Sequence, residues 1–286
     1  MIEVRFRLRE SGKGQAELLR LLLLKGGIPL EKISEKEEKG KRSLSVFVDS
    51  ARQARVTAEA VKALKLKGIS YSLIRLKDSD WKTRWKKYFK PFNITRDIRI
   101  IPVWEQGESA PPGVRGLRLD TTSAFGTGLH ATTQMVAQMI RGHREDLGDF
   151  LDIGTGSGIL SLIACAYGAH FIRAIDNDPQ AVETARRNFR RNGCPDRHLR
   201  AADFARFASA RRFSFVAANL FTEDLIKFKD RLIPLVKPGG WLAVSGISNQ
   251  NYGSFRRRFV DRRIRAVKAM GRRKWHAVLF QRKEDR

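Results

Sequence analysis

The sequence predicts an α/β protein: a doubly wound, mostly parallel sheet with an antiparallel hairpin at its edge, preceded by a small α+β domain. Three observations predict it. From about residue 131 short apolar strands alternate with helices, the order of a parallel sheet covered on both faces. Residues 1–77 run strand, helix, strand, strand, helix, strand, which is the ferredoxin-like split pattern. Gly154, Gly156 and Gly158 fall where a strand turns into a helix, at the end of the strands where such sheets take ligands. The organisation expected is a domain over 1–77, a connector over 78–119, and a ligand-binding domain over 120–286.

In the first domain Ile2, Val4, Phe6 and Leu8 alternate with other residues at the period of a half-buried strand. Ala16 to Leu24 reads as an apolar-faced helix, stopped by Gly26-Gly27 with Pro29 beyond. Short strands near Ile28 to Ser34 and Leu44 to Val48 flank Glu35 to Arg42, whose charges suggest a solvated hairpin loop. A helix from about Ala51 to Leu66 and a strand from Ile69 to Leu76 close the unit. In the connector, Trp81, Trp85, Tyr88 and Phe89 recur at helical spacing on a short helix, between Lys82, Arg84, Lys86, Lys87 and Lys90. Such a face either packs while its lysines snorkel or stacks on bases. Pro91 ends the helix, a strand follows over Asp97 to Val103, and Gly107 to Gly116, with Pro111-Pro112, reads as loop.

In the third segment Phe150 to Ile153 is a strand, Ile159 to Tyr167 a helix, Phe171 to Ile175 a strand, and Pro179 to Arg191 a helix with proline in its first turn. Phe213 to Ala218, the helix Glu223 to Val236, and Trp241 to Ser245 continue the series. Strands near Ile264 to Met270 and Trp275 to Gln281, with no helix between them, form the edge hairpin.

The 286 residues carry 56 Lys plus Arg against 30 Asp plus Glu, a net charge of +26, with 42% hydrophobic residues. That apolar content excludes a disordered polycation. The charge favours an acidic partner, such as nucleic acid, a nucleoprotein particle or an anionic membrane surface, with a solvated basic surface as the plain alternative. The surplus is densest over Gln250 to Arg286, 13 basic against 3 acidic side chains, in Arg256-Arg257-Arg258, Arg262-Arg263 and Arg272-Arg273-Lys274. Cys165 and Cys194 make neither a metal cluster nor a disulfide scaffold, and suggest a reducing compartment. The N-terminus lacks the layout of a signal peptide, and the apolar run Leu21 to Leu24 is far shorter than the ~20 residues that cross a bilayer. A cytoplasmic protein with no membrane partner is expected.

The strongest motif is Leu151-Asp152-Ile153-Gly154-Thr155-Gly156-Ser157-Gly158. A dinucleotide fingerprint would need glycine where the chain has Ile159. Three alternating glycines behind Asp152 instead resemble the S-adenosylmethionine loop of class I methyltransferases, although an ordinary strand-to-helix turn can look similar. Asp176 ends the next strand about 20 residues on, where a carboxylate can accept from both ribose hydroxyls. Asp178, before Pro179, is expected to cap the following helix. Asp203, after the third strand, either accepts from the adenine amino group or is a solvated loop acid. Asn219 ends the fourth strand, where it can face the transferable methyl, N-cap the next helix, or do both.

The segment Asp120 to Thr133 is too specific for a generic loop. Ala124 to Thr133, read as A-F-G-T-G-x-H-x-T-T, resembles the PrmA-type methyltransferases that modify the eleventh protein of the large ribosomal subunit. The resemblance extends to the N-terminal βαββαβ domain, Trp81 through Pro91, Ile101-Pro102 before Trp104-Glu105, Lys237-Pro238-Gly239-Gly240 and Ser245-Gly246-Ile247, nearly the whole chain. It implies a Rossmann-like, seven-stranded class I methyltransferase fold, S-adenosylmethionine as cofactor, no metal, and a first domain that recognises the substrate. The family's cofactor contacts fall on Thr133, Gly154, Asp176 and Asn219. With Phe125, Thr127, Asp152, Gly156, Gly158 and Asp203 they make up the expected cofactor set. The chain departs from the family at Asp120-Thr121-Thr122, at Ala131, and at Asn219-Leu220-Phe221-Thr222, the last on the acceptor side.

The function expected is methyl transfer to lysine or N-terminal amines of a ribosomal protein. Asn219 would orient the amine, and His130 would shape the same mouth or serve a structural role. The partner is a ribosomal protein, on the ribosome or free, with electrostatic contact to rRNA, and the chain is taken as a monomer. A nucleic-acid methyltransferase of the same fold is the alternative. Enzymes acting on base amines commonly follow their Asn or Asp with two prolines and an aromatic, where this chain has Leu220-Phe221-Thr222. A non-catalytic ribosome-binding module is the third reading, and the intact loop with Asp176 and Asn219 speaks against it.

Overall fold

The computed structural model describes residues 2–8, 18–19, 22–23, 28, 33–38, 41–48, 50–63, 66, 68–75, 89–121 and 126–284. It divides into two units, Met1–Tyr88 and Phe89–Arg286.

The smaller unit holds strands β1 (Ile2–Leu8), β2 (Ile33–Glu38), β3 (Lys41–Val48) and β4 (Ile69–Arg75), in the order β2-β3-β1-β4. Neighbouring strands are antiparallel, and helix α1 spans Ala51–Ala63. The alternation in β1 buries Val4, Phe6 and Leu8 with Leu44, Val46 and Val48 of β3, under the helical stripe Ala54, Ala58 and Val61. Leu18, Leu19, Leu22 and Leu23 are helical, and Leu19 and Leu23 join the same core. The charged stretch Glu35 to Arg42 departs from expectation: the ladder continues through it, pairing Glu37 with Arg42 and Glu38 with Lys41. The part of that stretch in β2 lies on an edge strand, where charge is tolerated. Residues 81–88 of the expected aromatic helix lie outside the described residues.

In the larger unit β5 (Phe92–Asn93), β6 (Ile98–Pro102) and β7 (Arg115–Leu119) form a three-stranded sheet. Residues 89–119, expected as connector, therefore form part of this unit. The parallel pairing of β6 with β7 spans the Pro111-Pro112 loop, so nothing adjacent in sequence signals it. The main sheet has the order β10-β9-β8-β11-β12-β14-β13, with β8 (Asp149–Ile153), β9 (Phe171–Asp176), β10 (Leu199–Ala201), β11 (Phe213–Asn219), β12 (Val236–Ser248), β13 (Ile264–Arg272) and β14 (Trp275–Arg282). The first five strands in that order are parallel, and β14 and β13 add the antiparallel edge hairpin. Helices α2 (Ala131–Gly142), α3 (Ile159–Ala166), α4 (Pro179–Arg191), α5 (Thr222–Lys227), α6 (Lys229–Leu232) and α7 (Asn249–Arg258) connect the strands.

The single helix expected over Glu223 to Val236 is broken into α5, α6 and a 3-10 turn, Ile233–Leu235. Pro234 in that turn lacks the N–H that would continue the helix. The cysteines also depart from expectation, since Cys165 and Cys194 are bonded, with Cα atoms 6.3 Å apart. Their separation of 29 residues hides the fact that α3 and α4 pack together. Among the described residues no helix is long and apolar enough to cross a membrane.

Candidate active site

Three expected site residues stand side by side at the carboxyl edge of the main sheet. Ile153 of β8 pairs with Ile175 of β9 and with Ala218 of β11, so the next residues along these strands, Asp176, Gly154 and Asn219, are neighbours. The approach at Gly154 is close: a Cβ there would lie 2.6 Å from Leu220 Cδ2.

Gly154, Gly156 and Gly158 have φ of 72°, 55° and 83°, the left-handed region that side chains rarely adopt. The loop they shape is lashed to β9, with the N–H groups of Gly154 and Thr155 donating to Ile175 O at 2.9 and 3.0 Å. It opens into α3, whose first N–H groups have no partner within the helix. Asp152 lies buried beneath it. Its Oδ2 accepts from the hydroxyls of Thr155 at 2.8 Å and Ser161 at 2.7 Å, while Oδ1 is buried with no partner. Burial pushes the Asp152 carboxyl up to about 6, and the charge of Asp176 adds to the rise against the Ser161 and Thr155 hydroxyls. Asp176 spans from the tip of β9 to the loop: Oδ2 accepts from Gly156 N–H at 2.8 Å and Oδ1 from Asp178 N–H at 3.0 Å. Each oxygen keeps a second lone pair. Asp178 caps α4 as expected, accepting from Gln180 N–H at 2.8 Å.

The opposite wall comes from α2. Thr133 is buried, and Asn219 Nδ2 donates to its hydroxyl at 3.4 Å. Asn219 is not a helix cap, since Phe221 occupies that position before α5. His130 precedes α2; its Nδ1 lies 2.8 Å from Thr132 Oγ1 and its ring meets Trp275 edge-on at 5.0 Å. Burial, and then the positive charge of Arg273, hold the His130 imidazole below its ordinary pKa, which keeps it neutral at pH 7. Thr127 Oγ1 accepts from Leu129 N–H at 3.3 Å. Asp203 is exposed and turns inward on its own chain, accepting from Ala205 N–H at 2.8 Å. Its neighbour Ala202 donates to Asp176 O at 2.8 Å, which sets this loop beside Asp176. Phe125 lies outside the described residues.

Sequence inspection missed the partners that hold these groups. Thr155 and Ser161 support Asp152, and Trp275 packs on His130 from β14. Trp275 was legible only as a strand residue, because it reaches the site through the antiparallel hairpin rather than through a βα loop.

Residues 25–283 match the family model described as ribosomal protein L11 methyltransferase (PrmA). A ribosomal protein L11 methyltransferase from Sorangium cellulosum (strain So ce56) is 37% identical over 221 residues, which is 72% of this chain and 69% of that relative. One from Streptococcus pneumoniae serotype 2 (strain D39 / NCTC 7466) is 33% identical over 243 residues, 83% of this chain and 75% of that relative. Among solved structures, a ribosomal protein L11 methylase from Lactobacillus delbrueckii subsp. bulgaricus superposes with a TM-score of 0.63 at 26% identity, covering 68% of this chain and 100% of that one.

Proposed function

The chain belongs to the ribosomal protein L11 methyltransferase (PrmA) family, and from that premise we propose that it methylates amines of ribosomal protein L11, at lysine side chains, the N-terminus or both. S-adenosylmethionine is the cofactor, and when bound it supplies a methyl group on a cationic sulfonium.

The residues present fit it. Three left-handed glycines leave room at the head of α3 for a ligand to approach the backbone, and the unpartnered, buried Asp152 Oδ1 suits a ligand with cationic groups. Asp176 holds the ribose hydroxyls with the lone pairs that Gly156 and Asp178 leave free. Gly154, Gly156 and Gly158 receive the amino-acid end above Asp152. Thr133 and Asn219 form the wall toward the acceptor.

In-line displacement asks mainly that nucleophile, methyl and sulfur be held in a row. The acceptor amine must arrive neutral, and a free lysine has a pKa of about 10.4. Burial at the mouth lowers that value, so Asn219 has only to orient the amine through its carbonyl oxygen. Its amide is already engaged by Thr133, which turns the oxygen away from that contact. His130, neutral and packed on Trp275, shapes the mouth without drawing a proton. The observation that carries this reading is the alignment of Asp176, Gly154 and Asn219 at the carboxyl ends of three adjacent strands.

The small βαββαβ unit recognises the protein substrate, the chain acts as a monomer in the cytoplasm, and the basic clusters over 256–274 contact rRNA when the substrate is on the particle. Incubation with labelled S-adenosylmethionine and a cell extract, followed by separate protease and nuclease digestion, tests the acceptor class. Protease is expected to release the label. Release by nuclease alone would establish a nucleic-acid acceptor, and no transfer with no cofactor binding would leave a binding module.

A further inference from the structure

The rim of the cofactor site is joined to its glycine loop by one buried carboxamide. Asn188 lies in α4 with no exposed surface. Its Oδ1 accepts from Asp120 N–H at 2.8 Å, and its Nδ2 donates to Asp120 O at 2.8 Å and to Ser157 O at 2.9 Å. Ser157 then donates its hydroxyl to Gly126 O at 2.6 Å. The fit at that point is tight, since a Cβ on Gly126, at φ +108°, would meet Ser157 Oγ at 2.9 Å. A Cβ on Gly158 would meet Ala185 Cβ at 3.1 Å and Phe189 Cε2 at 3.2 Å, so α4 is packed directly on the loop.

One helical turn on, Asn192 repeats half of this arrangement. It accepts from Arg118 N–H at 2.8 Å and donates to Arg118 O at 2.8 Å. The two carboxamides thus pair with alternate backbone positions along and just beyond β7, an edge strand of its sheet, as a further strand would. The Asn192 side chain spends its bonds elsewhere than on the glycine loop: its remaining amide hydrogen goes to Asn188 O at 2.7 Å. Asn188 alone adds the link to Ser157, and through Ser157 to Gly126.

We propose that Asn188 and Ser157 are positioning residues for S-adenosylmethionine, a clasp that seats the 126–133 stretch against the glycine loop before the cofactor arrives. This rests on the cofactor reading given above. The clasp fixes Asp120 and Gly126, and so the start of the run to Thr133, relative to Gly156 and Gly158. Without it the two halves of the site must be ordered at the moment of binding, at a cost in affinity.

Asn192 supplies the control, because Asn188→Leu and Asn192→Leu both strip a carboxamide from the same strand edge. Both are expected to lower the melting temperature. Asn188→Leu is expected to raise the Kd for S-adenosylmethionine in calorimetry on the order of tenfold, with its KM rising alongside and kcat changing less. Asn192→Leu should leave the Kd near the wild-type value. Ser157→Ala, which removes only the bond to Gly126 O, should weaken binding by about a few-fold and keeps the test available should Asn188→Leu fail to fold. Unchanged affinity in Ser157→Ala and Asn188→Leu, or equal loss in Asn192→Leu, overturns the clasp alone. A wild-type chain that binds no S-adenosylmethionine overturns the cofactor reading and the clasp with it.

Discussion

Replacing Asp152 by asparagine tests the electrostatics under the glycine loop through the pH dependence of stability. The carboxyl is fully buried and raised from 3.8 to about 6. Because its folded pKa lies above its unfolded one, the folded state holds the extra proton, and this group makes the protein more stable as pH falls through about 6 toward 4. At about 1.4 kcal/mol per pKa unit the full effect is about 3 kcal/mol. Between pH 8 and pH 5 the part gained is about 1.4 kcal/mol. Asparagine keeps the shape and an acceptor for Thr155 and Ser161 but cannot titrate. Urea unfolding of both proteins at pH 8 and pH 5 should therefore show the wild type gaining about 1.4 kcal/mol relative to Asp152→Asn on acidification. Whatever constant penalty the variant carries cancels in that comparison. Parallel pH profiles, or a relative gain by the variant at pH 5, would refute a buried carboxylate held against its preference for the proton.

Other consequences follow from the same contacts. Asp176→Ala removes the carboxylate that receives Gly156 and Asp178 N–H and should weaken S-adenosylmethionine binding by about 10- to 100-fold in calorimetry. Reduction of the Cys165–Cys194 bond, which closes a span of 29 residues, removes about 3–4 kcal/mol in the chain-entropy model. The expected result is a fall in melting temperature of about 10 °C, with thiol titration of the unreduced denatured chain finding no free thiol. Neutralising Arg256, Arg257 and Arg258 should lower activity on assembled ribosomal particles, and flatten its salt dependence, while leaving activity on free protein near wild type. Equal loss on both substrates would remove rRNA contact as the role of that cluster.

Periodicity made the parallel sheet, its edge hairpin and the βαββαβ unit legible in the sequence, because strand alternation and helical stripes are local patterns. Glycine spacing located the left-handed turn at the head of α3, and strand ends located Asp176 and Asn219 beside it. What stayed hidden was whatever depends on pairing between distant segments. The ladder of β6 with β7 lies across a proline loop, the bond between Cys165 and Cys194 joins α3 to the segment that follows α4, and Trp275 reaches His130 through a hairpin. Asn188 is the clearest case. On sequence it is one polar residue in an Arg-rich helix, and only the packing of α4 on the glycine loop shows that its amide is buried and fully engaged.

The most direct measurement is the intact mass of purified ribosomal protein L11 after incubation with the enzyme and S-adenosylmethionine, beside the same reaction with Asn219→Ala. The wild type is expected to add mass in whole methyl increments that peptide mapping places on amines, with the variant adding far less. An unchanged L11 mass, under conditions where the enzyme binds S-adenosylmethionine, would contradict L11 as the acceptor.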